Sequence, residues 1–261
     1  MTYEIEKDLS RARILLSNDD GIRAPGLEVL EQIARSLSDD VWIVAPEEEQ
    51  SGASHSLTLR RPLRIREVGP KRFAVDGTPT DCVLLAINKI MRDARPTLML
   101  SGVNFGGNMG EDVTYSGTVA AAMEAAMFNI PSIALSLAVP VGQHPCWGAV
   151  LSHVPDIIRR LAGASWPRNT LMNINIPNLD PADIDGCKAV SQGRRKIGDN
   201  IVKGVDPRNR EYYWIGPNRE EDVSTPGTDI WAVGHGSIAV TPIYLDLTHV
   251  PALQKLQKLF P

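Results

Sequence analysis

The chain has 261 residues, 43% of them hydrophobic and 22% charged, with a formal net charge of −4. That length suits one large or one and a half ordinary domains with a sizeable core, and the lack of a long basic run argues against a nucleic-acid duplex partner. No apolar run reaches the roughly 20 residues of a membrane span, and the charged start from Met1 to Asp8 has no apolar stretch of the signal-peptide kind, so a cytoplasmic protein without membrane contact is expected.

Residues 1–11 read as a polar leader. Ile14-Leu15-Leu16 predicts a short buried strand that ends in the turn Asn18-Asp19-Asp20-Gly21. Pro25-Gly26 opens a helix with Leu27, Leu30, Ile33, Ala34 and Leu37 at helical spacing. Val41 to Ala45 predicts a second strand, stopped by Pro46 before the acidic loop Glu47-Glu48-Glu49. Strand, helix and strand in this order start a parallel sheet. Leu57 to Ile65 predicts an extended pair, and Phe73-Ala74-Val75 a short strand. Thr80 is expected to cap a helix that reaches Met91. Thr97 to Ser101 predicts another buried strand, followed by a Gly/Asn loop and a helix from Thr118 to Phe128. A strand at Ile133–Ser136, a helix at Trp147–Leu161 and a strand at Leu171–Ile176 continue the pattern.

Beyond about residue 180 the alternation gives way to Gly, Pro, Arg and aromatic residues, as in Gly193–Lys196 and Glu211–Gly216. Such a stretch is expected to form hairpins that lie on the main domain or on a second subunit. A late strand at Ser237–Ile243 and a helix at Pro251–Leu259 close the chain. The fold class is therefore α/β with a mostly parallel sheet over residues 1–180, and residues 181–261 are a hairpin-and-tail segment rather than an independent domain. Cys82, Cys146 and Cys187 have no metal-ligand spacing and read as reduced thiols.

In a parallel α/β sheet the carboxyl ends of the strands share one rim. Three segments fall there: Ser17–Gly21, Gln50–His55, and Ser101–Asn104 leading on to Tyr115–Thr118. Adjacent carboxylates such as Asp19 and Asp20 repel, and burying the pair uncompensated costs several kcal/mol. A divalent cation removes that penalty; the plainer reading is a solvated turn. Two carboxylates, a hydroxyl and an amide oxygen make a hard-oxygen set suited to Mg²⁺ or Mn²⁺. Ser101–Gly110 carries four glycines and two asparagines but is neither a dinucleotide fingerprint nor a P-loop. Ser116-Gly117-Thr118 stands at a helix N-terminus, where free N–H groups favour an anion, although Ser116 also reads as a simple cap. These features together suggest a metal-dependent phosphatase.

At these residues the chain resembles the SurE family of survival-protein nucleotidases. The likeness runs in order through Ile14–Gly26, Ala45–Leu59, Val75–Val83 and Ser101–Glu124. It continues through Asn173–Pro177, Gly227-Thr228-Asp229 and Thr241-Pro242. The resemblance implies a Rossmann-like fold and a phosphomonoesterase that acts on nucleoside 5′- and 3′-monophosphates with one divalent ion, Mg²⁺ or Mn²⁺. Asp19, Asp20, Ser51 and Asn104 match the family's metal ligands, with Asp19 and Asp20 at the catalytic centre. Asn18, Asn108, Ser116, Gly117 and Thr118 fall where the family handles phosphate. The resemblance further implies a homodimer or homotetramer formed by exchange of the C-terminal hairpin and tail. The chain departs from the common pattern at Phe105-Gly106-Gly107 and in the acidity of Glu47–Glu49.

The expected mechanism is in-line attack on phosphorus by a metal-activated water, with an aspartyl-phosphate on Asp19 or Asp20 as the rival route. His55 and His235 are candidates for protonating the leaving group. A nucleotide-sugar transferase and a non-catalytic nucleotide-binding stress protein are the other readings.

Overall fold

Ile14 and Leu16 bury into one apolar layer, and Leu15 between them into another, because successive strand side chains point to opposite faces. The strand they form, β1 (Arg13–Ser17), lies inside a sheet covered on both sides, so it reads as a continuous apolar run. The computed structural model describes residues 2–3, 5–164, 166–197, 201–215 and 219–260.

After β1 come α1 (Pro25–Arg35), β2 (Asp40–Pro46), β3 (Ile65–Gly69), β4 (Arg72–Val75) and α2 (Pro79–Leu85). Then follow β5 (Leu98–Phe105), α3 (Gly117–Met127), β6 (Ser132–Ala138), α4 (Trp147–Ala162) and β7 (Thr170–Pro177). The remaining elements are β8 (Cys187–Ala189), β9 (Arg195–Ile197), β10 (Ile201–Val205), β11 (Glu211–Ile215), β12 (Arg219–Glu221), α5 (Asp229–Gly234), β13 (Ile238–Tyr244) and α6 (Val250–Leu256). Among the described residues, nine strands form one sheet in the order β3-β4-β2-β1-β5-β6-β7-β13-β8. The block from β4 to β7 is parallel, and β13 adds antiparallel to β7, Val240 opposite Ile174. Leu27, Leu30 and Ile33 of α1 share one apolar layer with Val150, Val154 and Ile158 of α4. Val83 of α2 shares the other with Val119, Ala122 and Ala125 of α3.

Four local expectations change. The leader is docked: Tyr3 is buried, its N–H donates to Trp166 O at 2.9 Å, and its hydroxyl donates to Ala126 O at 3.2 Å. Its ring meets Trp166 edge-on. Met1 and Glu4 lie outside the described residues, as does Gly216 at the end of the aromatic stretch. Residues 57–64 form no strand pair. Pro62 lacks an N–H, and the neighbouring backbone bonds to the start of α2, through Thr58 N–H to Asp81 Oδ1 at 3.0 Å and Thr78 Oγ1 to Ser56 O at 2.8 Å.

Thr78, not Thr80, caps α2. Its hydroxyl accepts from Asp81 N–H while Asp81 accepts from Thr78 N–H, a reciprocal capping box ahead of Pro79 at the first helical position. The helix then widens into a π-turn over Ala86–Ile90. Finally, β5 runs past Ser101 to Phe105, so Asn104 sits on the end of a strand rather than in the loop. The peptide between Gly102 and Val103 is cis.

Candidate active site

The strand order reverses at β1. Its one edge pairs with β2 and the other with β5, and the chain leads away on both sides. Open α/β sheets bind ligands in the crevice at such a switch point, beyond the carboxyl ends of the strands. Asp19-Asp20 follows β1 there, and Asn104 ends β5 beside it.

A cavity of about 230 Å³ opens at this point, lined by Asp19, Ser51, Asn104, Asn108 and Ser116 among others. Five of the nine residues singled out from the sequence thus share one wall. Asp20 lies on its rim, where Phe105 N–H donates to Asp20 Oδ2 at 3.4 Å. Gln50 N–H donates to Asp19 O at 2.8 Å and ties the Ser51 loop to the Asp19 turn. Ser51 Oγ donates to Glu49 Oε1 at 2.8 Å. Asn104 Nδ2 donates to Gly106 O at 2.8 Å.

The remaining three, Asn18, Gly117 and Thr118, are buried behind the wall, the last two next to Ser116. Asn18 is buried and donates through Nδ2 to Gly21 O at 2.9 Å, shaping the turn that presents the two carboxylates. Ser116 Oγ accepts from Val119 N–H at 3.1 Å, so it does cap α3. Thr118 donates its hydroxyl to Asp19 Oδ1, and the backbone of Gly117 and Thr118 also bonds that carboxylate. The helix N-terminus therefore faces Asp19. A Cβ on Gly117 would stand 2.7 Å from Asp19 Cβ, so only glycine allows this approach.

Burial drives the Asp19 carboxyl above its ordinary range, opposed by the Thr118 hydroxyl and the α3 backbone. Burial, and after it the Asp19 charge, push Asp20 up to about 6. Among the described residues no Lys or Arg forms a salt bridge with either carboxylate. A pair of this kind is stabilised by a cation that is not a side chain. No three His, Cys, Asp or Glu cluster among the described residues. The residues that could hold a metal here offer the carboxylate oxygens of Asp19 and Asp20 with the neutral oxygens of Ser51 and Asn104, a donor set whose oxygen-rich chemistry fits Mg²⁺ or Mn²⁺.

A larger cavity of about 810 Å³ shares Ser116 with the first and is lined by His55, Val113, Met123 and Ile243. His55 Nε2 lies 2.8 Å from Glu124 Oε2 on its wall. His235 lines neither cavity. It stacks on Trp231 with centroids 4.4 Å apart, and its Nδ1 bonds Trp231 O at 2.7 Å.

The family model for Survival protein SurE matches residues 14–199. The chain belongs to the SurE family. It is similar at 55% identity to a 5′-nucleotidase SurE of Paramagnetospirillum magneticum, over all of both chains. A 5′-nucleotidase SurE of Rhodospirillum rubrum is 53% identical across 97% of this chain and 98% of its own. The crystal structure of a SurE protein from Aquifex aeolicus superimposes with a TM-score of 0.82 at 39% identity, covering 95% of this chain and 99% of that one. Sequence reading missed several residues that build this SurE pocket. Asp112 lines it, while Asn173, Asn175 and Asp229 hold its loop from behind. The visible signal was a pair of asparagines, Asn173 and Asn175, inside an otherwise apolar strand.

Proposed function

We propose that the chain is a divalent-cation-dependent phosphomonoesterase that hydrolyses nucleoside 5′- and 3′-monophosphates to nucleoside and phosphate. The observation that carries this reading is the Asp19–Asp20 pair, without a cationic side chain among the described residues, Asp19 buried on the wall and Asp20 half-buried on the rim of an oxygen-lined cavity at the sheet's switch point. The names of the relatives support the substrate class.

Asp19, Asp20, Ser51 and Asn104 are the residues that would hold one Mg²⁺ or Mn²⁺. Such an ion supplies Lewis acidity toward a phosphoryl oxygen and lowers the pKa of a bound water. Asp19 is kept in one orientation by Thr118 and the first turn of α3. Asn108 and Ser116 face the same cavity, beside Asp19, and we assign them to the phosphate. Asn18, Gly117 and Thr118 serve the phosphate site indirectly, by placing Asp19. Both carboxylates are taken up as ligands, which favours water over an aspartyl nucleophile.

His55 is the better of the two candidates for protonating the leaving oxygen, because it lines a cavity continuous with Ser116 and is paired with Glu124. We further infer a homo-oligomer, dimer or tetramer. The side chains of Tyr213, Trp214 and Ile215 on β11 and of Leu253 and Leu256 on α6 are exposed, as oligomer surfaces are before assembly.

The test is phosphate release from AMP, GMP and 3′-AMP by metal-stripped protein, with and without Mn²⁺ or Mg²⁺. Metal-dependent release is expected. Nucleotide recovered intact under every metal, yet bound, would favour the binding-protein reading instead.

A further inference from the structure

The cavity wall between Gly106 and Ser116 has little regular structure beyond a short 3-10 turn at Gly110–Thr114. Its backbone is nevertheless bonded at successive points by side chains from distant parts of the chain. Asn108 N–H donates to Asn175 Oδ1 at 2.8 Å, and Asn108 O accepts from Asn173 Nδ2 at 2.8 Å and Asn175 Nδ2 at 3.1 Å. Two residues on, Gly110 N–H donates to Asp229 Oδ2 at 3.0 Å and Gly110 O accepts from Gln192 Nε2 at 2.6 Å. Arg195 N–H then donates to the Glu111 carboxylate, and Arg195 Nε lies 3.3 Å from Asp112 Oδ2 and 2.9 Å from Glu221 Oε1.

Asp229 is the hub. It is fully buried, and its other oxygen accepts from Gly193 N–H at 2.7 Å and Ile230 N–H at 2.8 Å. Gly193 and Gly110 both crowd this point. A Cβ on Gly193 would lie 2.9 Å from Asp229 Oδ1, and one on Gly110 would lie 2.9 Å from Arg195 Cβ. One buried carboxylate thus joins the pocket loop to the segment that leads into β9, the stem of the exposed hairpin. A buried acceptor with three donors holds its partners in one geometry, since losing any bond strands a polar group away from water.

We propose that Asp229, assisted by Gln192 and Arg195, is a positioning residue through which the C-terminal segment sets the geometry of the pocket loop and hence the rate of the reaction. This rests on the phosphomonoesterase reading above. Asp112 lines the cavity and Arg195 grips it from behind, so the coupling reaches the site within one residue contact.

The test compares wild type with Asp229→Asn and Gln192→Glu. In Asp229→Asn the side-chain oxygen is drawn to the side with two donors, Gly193 and Ile230, so the new NH₂ faces Gly110 N–H and breaks that bond alone. Gln192→Glu sets a carboxylate against Gly110 O and keeps the hub intact, which leaves a readable variant if the first does not fold. Two quantities are measured: amide exchange in peptides covering 106–116, and kcat and KM for AMP and p-nitrophenyl phosphate per Mn²⁺-binding site. Exchange in the loop is expected to rise tenfold or more with residues 13–17 unchanged. The value of kcat per site should fall by roughly tenfold or more on both substrates, as misplacement on the ångström scale does, with KM changed far less.

Loop exchange and kcat per site close to wild type, with only the melting temperature lowered, would overturn the proposal. Faster exchange with unchanged kcat would overturn the link to rate. Should wild type itself release no phosphate, the phosphomonoesterase reading fails separately, and the exchange data alone decide whether the clamp exists.

Discussion

Thr118 donates its hydroxyl hydrogen to the carboxylate of Asp19, 99 residues away in the chain. The bond joins the turn after β1 to the first turn of α3, so the carboxylate is fixed by the helix it sits under. Asparagine in place of Asp19 can still accept that hydroxyl hydrogen, so Asp19→Asn should fold. It should also lose metal-dependent turnover, because one of the two charged ligands proposed for the cation is gone. Retention of more than about a tenth of wild-type phosphate release would count against the ligand assignment, given the several kcal/mol that a metal contributes.

Gly117 gives a sharper version of the same test. A methyl group there would press on Asp19 Cβ, on Asp19 Oδ2 at 3.0 Å and on Pro79 Cγ at 3.0 Å. Gly117→Ala is favourable for helix propensity, yet it must push Asp19 out of place. We expect turnover to fall by roughly tenfold or more while the melting temperature moves little, since small displacements of reacting groups cost more than modest repacking does. Normal activity would show that the turn around Asp19 adapts freely.

Tyr3 separates stability from function. It lies in the buried core against Trp166 and lines neither cavity of the candidate site. Tyr3→Phe removes the hydroxyl that bonds Ala126 O and the Asn169 backbone, and should cost about 1 kcal/mol. Tyr3→Ala also opens a cavity and should cost about 3 kcal/mol. Urea denaturation measures both, and kcat per folded molecule should stay at the wild-type value in each.

Much of the sheet could be read from the chain because its strands are buried on both faces. Runs such as Ile14–Leu16 and Leu98–Leu100 carry their own signal. The segments at the strand ends were legible for a different reason: small and oxygen-bearing residues follow an apolar run. What could not be read is long-range. Thr78 and Thr80 look alike in sequence, and only the reciprocal bond to Asp81 picks the cap. Tyr3 looked like leader because its partners, Trp166 and Ala126, lie more than 120 residues away. Asp229 gave no local sign that it would meet Gly110. Similarly, the switch point at β1 depends on strand order, which no local pattern encodes.

His55 makes a prediction that turns on the leaving group. If it protonates the departing oxygen, Glu124 orients it at 2.8 Å. Nucleoside alkoxide is a poor leaving group, whereas p-nitrophenolate leaves without a proton. His55→Gln should therefore lower kcat on AMP by about a hundredfold, within the range of general-acid effects, and leave p-nitrophenyl phosphate turnover close to wild type. Equal losses on both substrates would place His55 among supporting residues only.

Asp20 predicts the pH behaviour of the metal-free protein. Burial first, and the neighbouring Asp19 charge second, raise its carboxyl to about 6 in the folded chain. In the unfolded chain it titrates near about 3.9. Between those values the folded state holds more protons than the unfolded one, so stability contributed by Asp20 is full below about pH 4 and is lost as pH rises toward about 6. Asp19 is shifted in the same direction. Metal binding requires the ionised form, so Mn²⁺ affinity should climb across the same window and level off above it. Denaturant titrations of EDTA-treated wild type and Asp20→Asn, from about pH 4 to 7, should show a steeper fall in stability in wild type than in the variant, which keeps only the Asp19 contribution, and saturating Mn²⁺ should reverse the wild-type slope. Parallel curves for the two proteins, together with a pH-independent Mn²⁺ affinity, would mean that this carboxylate is neither buried as described nor a ligand.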